Sequence, residues 1–193
     1  MSSLKGSLLI AAPSLVDPNF VRTVVIVAEH GAEGALGLIL NRPGELPVRE
    51  LWSNISDEPA ETEARTFVGG PVQKGAVLFL HGHEDLAQGS EPIVPGVYLG
   101  GEVEVLASVL RRDADLRKGG GVDGALFRVF SGYSGWGAGQ LDGELKAGGW
   151  LTIPASAEKV FRSPPERLWG LTLEEVGGIY RFYSMMPLDP EMN

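Results

Sequence analysis

Two apolar runs, residues 23–28 (Thr-Val-Val-Ile-Val-Ala) and 35–40, are separated by only six residues, Glu29-His30-Gly31-Ala32-Glu33-Gly34. The first is rich in β-branched residues, which favour strands. The intervening glycines suit a hairpin. Neither run alternates apolar with polar residues, as a strand with one wet face would. Apolar residues at nearly every position imply burial on both faces. Whatever else the chain folds into, it must supply two apolar layers to cover this sheet.

The rest of the chain reads accordingly. Residues 7–12 form another buried strand, and short strands are expected at 66–68, 76–80, 125–130 and 150–153, with 93–99 extended. Helices are expected at 48–55, 102–112, 138–146 and from Pro164-Pro165 to about Val176; proline is tolerated in a first helical turn. Val103, Leu106, Val109 and Leu110 recur at helical spacing. Asn41-Arg42-Pro43-Gly44 ends a strand with strong breakers. Residues 56–65 are acidic and irregular, an exposed loop; Gly119-Gly120-Gly121 reads as a flexible connection, and residues 186–193 as a loosely held tail. There is no internal repeat and no long linker. Mixed helices and strands with hairpin-length connections predict one α+β domain over 1–193, its core at about 4–180, with a mixed, largely antiparallel sheet and a few flanking helices.

Composition narrows the function classes. A chain of 193 residues fits one domain and can bury a substantial core unaided. It has no cysteine, which removes disulfides, zinc–thiolate sites, thiol nucleophiles and redox motifs together. The apolar run 8–12 is too short for a signal-peptide core, and no apolar stretch reaches about 18 residues, so a cytoplasmic protein without a membrane span is expected. The net charge is −9, from 16 Lys and Arg against 25 Asp and Glu. Direct nucleic-acid binding needs a positive face, and is not expected here. The densest basic group, Arg111-Arg112 with Arg117-Lys118, reads as a solvated helix end.

The motifs supply no recognisable catalytic set. In Gly132-Tyr133-Ser134-Gly135-Trp136-Gly137-Ala138-Gly139-Gln140-Leu141-Asp142-Gly143-Glu144, the serine resembles a nucleophile elbow, but the last glycine of Gly-x-Ser-x-Gly is replaced by Trp136. The glycines also miss the spacings of phosphate-binding loops. His81-x-His83 with Glu84 or Asp85 has the residue types of a metal site, yet Gly82 and the following charges end the strand. A loop histidine bonded to backbone is the simpler reading, and neither a metal nor a cofactor is expected. Arg42 has the donors to hold an anion bidentately, or to pair with a carboxylate such as Glu144. If Trp136 opens a helix, Trp136, Gln140 and Glu144 fall on nearly one face, at the edge of the core.

Several strings, in order, resemble the bacterial AlgH/YqgE family: Gly6-Ser7-Leu8-Leu9-Ile10-Ala11 with Pro13; Asp17-Pro18-Asn19-Phe20; Gly37-Leu38-Ile39-Leu40-Asn41-Arg42-Pro43; Gly69-Gly70-Pro71-Val72; Leu80-His81; Gly132-Tyr133-Ser134-Gly135-Trp136; Gly139-Gln140-Leu141; Glu144; and Trp150-Leu151. The resemblance covers about residues 4–180. It implies a compact α+β fold with coiled, branching sheets, and no reaction. Family members commonly carry alanine in place of Ser134, which argues against an essential nucleophile. Residues 56–65 and 85–95 match no family motif. The expected function is a non-enzymatic regulatory or interaction protein that meets a protein partner and affects transcription indirectly. The alternatives are a small-molecule or anion-binding protein or weak hydrolase using residues 132–144, and, third, a direct DNA-binding regulator. The candidate pocket comprises Asn41, Arg42, His81, Tyr133, Trp136, Gln140 and Glu144.

Overall fold

The structure, a computed structural model, describes residues 3–118 and 126–185. In chain order its elements are β1 (Ser7–Ala11), β2 (Val24–Gly31), β3 (Gly34–Ile39), β4 (Pro43–Pro47), α1 (Val48–Ser53), β5 (Arg65–Val68) and β6 (Val72–His81). After a 3₁₀ turn at Glu84–Leu86 come β7 (Glu91–Val94), β8 (Val97–Gly100), α2 (Val103–Lys118), β9 (Phe127–Gly137), α3 (Gln140–Lys146), β10 (Trp150–Pro154), α4 (Ala157–Phe161), α5 (Pro165–Val176) and α6 (Tyr180–Ser184). The strands form one sheet in the order β10-β1-β2-β3-β9-β6-β8-β7, and the β4–β5 ribbon branches from β9. All pairings are antiparallel except β5 with β9. This is the single α+β domain with a coiled, largely antiparallel sheet that the sequence implies.

Burial on both faces follows the pleat, because successive side chains of a strand point to opposite sides. Leu8, Ile10, Val24, Ile26, Ala28, Leu38 and Leu40 join one core with Val160, Phe161, Leu168, Trp169 and Leu173 from α4 and α5. Their chain neighbours Leu9, Ala11, Val25, Val27 and Ile39 join another with Trp136, Leu141 and Trp150. A third core sits under α1 and α2, where Val48, Leu51, Trp52, Leu106, Val109 and Leu110 cover Phe79, Phe127 and Val129. The sheet curls until β7 reaches the segment before β1. A Cβ placed on Gly6 would lie 2.7 Å from Val94 and 3.2 Å from the Ile93 carbonyl.

The branch is made at β9. Its last residues pair with β3, from Gly37↔Ser134 to Gly34↔Gly137. Its earlier residues pair with β6 and β5, including Phe67↔Phe130. Gly69 spans the fork, donating its N–H to the Ser131 carbonyl and accepting from the Ile39 N–H. The next residue, Gly70, has φ +155°, and a Cβ there would lie 2.3 Å from the Tyr133 carbonyl carbon and oxygen. Two backbones meet here with no room for a side chain.

The sequence reading needs correction at several elements. Trp136 does not open a helix: it lies in β9, and α3 begins at Gln140 after Gly139 in the left-handed region at φ +70°. Residues 43–47 form a ribbon strand where breakers alone were expected, and 93–99 is split into the β7–β8 hairpin. The strand expected at 76–80 runs from Val72 to His81, and α2 continues to Lys118. Helices α4 and α6 were not anticipated. Residues 119–121, with their three glycines, and 186–193, the expected tail, lie outside the described residues, as does Ala125 at the start of the expected strand.

Gly70→Ala is therefore expected to destabilise the domain by about 2 kcal/mol or more, through strain and backbone displacement. An alanine at the exposed Gly143, where a Cβ meets nothing within 4 Å, is the control. Chemical denaturation of both variants measures the difference.

Candidate functional site

The Gly/Trp segment builds a polar clamp on the outer face of the sheet. Trp136 and Trp150 are 5% and 3% exposed, and both direct their indole N–H groups at α3. Buried indoles require an acceptor. The first turn of α3 places Gln140, and its second turn Glu144, over them. Trp136 Nε1 donates to Glu144 Oε2 at 3.0 Å, and Trp150 Nε1 donates to the same oxygen at 2.8 Å. Gln140 Nε2 donates to Oε1 at 2.9 Å, while Gln140 Oε1 accepts the Gly137 N–H at 3.1 Å. Phe20 stacks on Trp136 with centroids 6.0 Å apart and meets Trp150 edge-on at 5.4 Å. The carboxylate thus satisfies three neutral donors and ties β9, α3 and β10 together. Its partners are two indoles and an amide, in place of the arginine considered from sequence.

Arg42 is engaged elsewhere. Its Nη2 donates to the carbonyls of Pro18 at 3.1 Å and Val21 at 3.3 Å. Partial burial pulls its guanidinium below the usual arginine range, with the field of Asp17 opposing that shift. Asn41 accepts the Val24 N–H at 2.8 Å and donates to the Arg22 carbonyl at 2.9 Å. The pair 41–42 therefore holds the 17–22 loop in place. Arg22 in that loop has φ +54°, a conformation costly for a side-chain-bearing residue, and its guanidinium lies over the Trp169 ring at 5.2 Å. Ser134 is fully buried, and its hydroxyl donates to the Gly69 carbonyl at 3.1 Å. No histidine hydrogen-bonds to it among the described residues, so it lacks both the access and the base that a nucleophile requires.

His81 is not in a loop. It ends β6 fully buried, with Nε2 2.9 Å from Ser90 Oγ and its ring stacked on Tyr98 at 5.3 Å and His83 at 6.3 Å. His81 Nδ1 and His83 Nε2 have no hydrogen-bond partner among the described residues. Burial, reinforced by the neighbouring His83, pushes His81 down to about 4; burial also lowers His83, against the fields of Asp113 and Asp85. No group of three or more His, Cys, Asp or Glu among the described residues is arranged to hold a metal ion.

The seven candidates therefore do not share one pocket. Tyr133 and Trp136 line an open cleft of about 740 Å³ with His30, Leu36 and Val72. Asn41 and Arg42 line a second, of about 650 Å³, with Arg22, Arg167 and Trp169. Gln140, Glu144 and His81 line neither. Two features escaped the sequence reading. Leu46, Ile55 and Val68 meet in a groove of about 430 Å³ beside the β4–β5 ribbon. The available signal was apolar side chains set in breaker-rich or polar segments. Arg128 is buried in β9 without a described carboxylate in ion-pair reach; it donates to the Leu40 and Ser163 carbonyls and lies 4.7 Å over the Phe67 ring. Burial lowers it to about 10. A lone arginine in the apolar run 125–130 was its signal. On α2, Arg111 faces Glu58 at 3.9 Å, Arg112 faces Asp85 at 3.5 Å, and Lys118 pairs with Glu61, so much of the basic group is neutralised locally.

The curled, branching α+β sheet defines the structural class to which this chain belongs. The AlgH-like family model matches residues 8–181, and the chain is a member of that family. It is 42% identical over 190 residues to a UPF0301 protein of Chlorobium luteolum, covering 97% of this chain and 94% of the relative. A UPF0301 protein of Chlamydia abortus is 36% identical over 183 residues, covering 95% and 92%. The solution structure of the AlgH protein from Pseudomonas aeruginosa superposes with a TM-score of 0.73 at 29% identity, over 97% of this chain and 96% of that one. A Corynebacterium diphtheriae protein shares the fold, with a TM-score of 0.74 at 20% identity over 96% and 94% of the chains. Among the described residues no helix is long and apolar enough to cross a membrane.

Two predictions arise from these contacts. Trp136→Ala should cost about 3–5 kcal/mol in a denaturant titration, as for other buried aromatics. Glu144→Gln should cost less, because one amide oxygen still accepts both indoles. In the second, His81 titrates lower in the folded chain than in the unfolded one, so the unfolded state binds more protons between pH 6.5 and about 4. Stability should fall as pH drops through that window, by on the order of 3 kcal/mol from this group, with no further loss from it below. His81→Gln should flatten the pH dependence of the unfolding free energy by a comparable amount.

Proposed function

We propose that this protein is a non-enzymatic interaction protein of the cytoplasm. It receives an apolar segment of a protein partner in the groove beside the β4–β5 ribbon, and affects gene regulation only through that partner. The carrying observation is that three exposed apolar side chains converge there: Leu46, Ile55 and Val68 are 40%, 39% and 40% exposed and line one groove with Leu51, Phe67 and Val77. Contiguous apolar surface in a soluble fold marks interaction sites, whereas scattered residues do not.

Several of the groove's backbone polar groups are already engaged within the fold, while Glu45 and Lys74 also line it. The Leu46 carbonyl accepts the Thr66 hydroxyl at 2.9 Å, and the Glu45 carbonyl accepts from Arg65 at 2.7 Å. Its exposed apolar side chains suit the aliphatic or aromatic side chains of a partner. Indirect action on transcription is favoured by the net charge of −9 and by the ion pairs of Arg111, Arg112 and Lys118 with nearby carboxylates. The buried, committed hydroxyl of Ser134 favours binding over hydrolysis.

The test is site-specific photo-cross-linking in a bacterial host, with the photoreactive residue at Leu46, at Ile55, or at the exposed Arg162 as control. The expected result is one protein adduct common to positions 46 and 55 and absent at 162, lost when Val68→Asp is introduced. Equal adducts at all three positions, or none at 46 and 55, would refute the reading.

A further inference from the structure

The second cleft differs in chemistry from the groove. It lies between the 17–22 loop, the turn at Asn41–Arg42 and the first half of α5, and its volume of about 650 Å³ is that of a small-ligand site. Three guanidinium groups line it, from Arg22, Arg42 and Arg167, in a chain whose net charge is −9. Each comes from a different segment, so the convergence is made by the fold.

Arg42 is the central group. Its Nη2 is fixed by two backbone carbonyls, which set the plane of the guanidinium. No side-chain hydrogen bond or ion pair to a described residue uses Nη1 or Nε, and no described carboxylate lies in ion-pair reach. A partly buried cation oriented by carbonyls, with the Asp17 field near it but no ion pair to a described residue, keeps donors free for an anion. Arg167 stands exposed in the first turn of α5 and likewise makes no side-chain hydrogen bond or ion pair with a described residue. Arg22 forms the wall between them. Its left-handed backbone is pinned by Asn41, and its guanidinium is laid flat on Trp169. Backbone strain held by surrounding bonds in this way is a feature of ligand sites.

We infer that this cleft binds a small soluble molecule through a phosphate group, held by Arg42 and Arg167 against the wall made by Arg22. The carboxylates of Glu166 and Glu174 also line the cleft, and both residues are exposed. They oppose a broad anionic surface, such as a membrane or a nucleic-acid backbone, and so favour a compact anion. The site is separate from the apolar groove, so each can fail without the other.

Isothermal titration calorimetry of the full chain at physiological salt, with inorganic pyrophosphate as the probe, tests this. Saturable binding at one site is expected, with a dissociation constant below about 0.1 mM, weakened by about tenfold or more in Arg42→Gln and in Arg167→Ala. Arg42→Gln could loosen the 17–22 loop; Arg167→Ala removes an exposed side chain with no described partner and keeps the fold. Arg162→Ala, outside the cleft, should bind as the unaltered chain does. No saturable heat with pyrophosphate would overturn the inference. So would equal binding by Arg167→Ala, or flotation on vesicles containing phosphatidic acid without any binding of pyrophosphate.

Discussion

Ile26 and Val27 are neighbours in the chain, and each is fully buried in a different core. Everything else in the fold serves that constraint. A strand with two dry faces needs a layer on each, and one chain of this length must supply both. Helices α4 and α5 provide one, through Val160, Phe161, Leu168 and Leu173. The other is too narrow for a long helix and is closed instead by α3 and three aromatic rings, Phe20, Trp136 and Trp150. Large aromatics cover much area with few residues. They also bring polar edges into a dry place.

That cost explains the Gly/Trp segment. The N–H groups of two buried indoles would each be an unsatisfied donor, so a single carboxylate is placed where it accepts both. Reaching that position requires a tight change from strand to helix, which Gly139 supplies through its positive φ. The flanking glycines have another task. Near Gly69 and Gly70, the β9 backbone passes so close to the start of β6 that any side chain would collide with it. A run that invites comparison with catalytic turns and phosphate loops is thus spent on a branch point and on a hydrogen-bonded aromatic cap.

The core strands were legible because their signal is local: uninterrupted apolar runs with hairpin spacing between β2 and β3. The helix α5 was legible from its proline start. What escaped was set by distant partners. Trp136 was read into a helix because its spacing to Gln140 and Glu144 is helical; the strand pairing with Ala35 overrides that pattern. The three residues do interact, across a strand–helix corner instead of along one helix. Arg42 was offered a carboxylate because arginines usually have one, yet here the nearest acceptors are carbonyls of a loop some twenty residues earlier. His81 was expected at a loop because charges follow it; burial beneath β8 and the 84–90 segment is a tertiary fact that no local window contains. The groove at Leu46, Ile55 and Val68 was invisible for the same reason, since its residues come from three separate elements.

The division of labour along the chain bears on where function can reside. Ser134, Glu144, Gln140 and Asn41 use their polar atoms in internal bonds, and a group so committed has little left for a ligand without breaking the fold. Recognition of other molecules must then fall to groups that the framework positions but does not consume. By that criterion two surfaces stand out: apolar side chains held at partial exposure beside the β4–β5 ribbon, and the cleft lined by Arg42 and Arg167. The first can reward a partner only through area, the second only through charge. The two are neighbours in the chain, since β4, which lines the groove, begins at Pro43, directly after the arginine that lines the cleft.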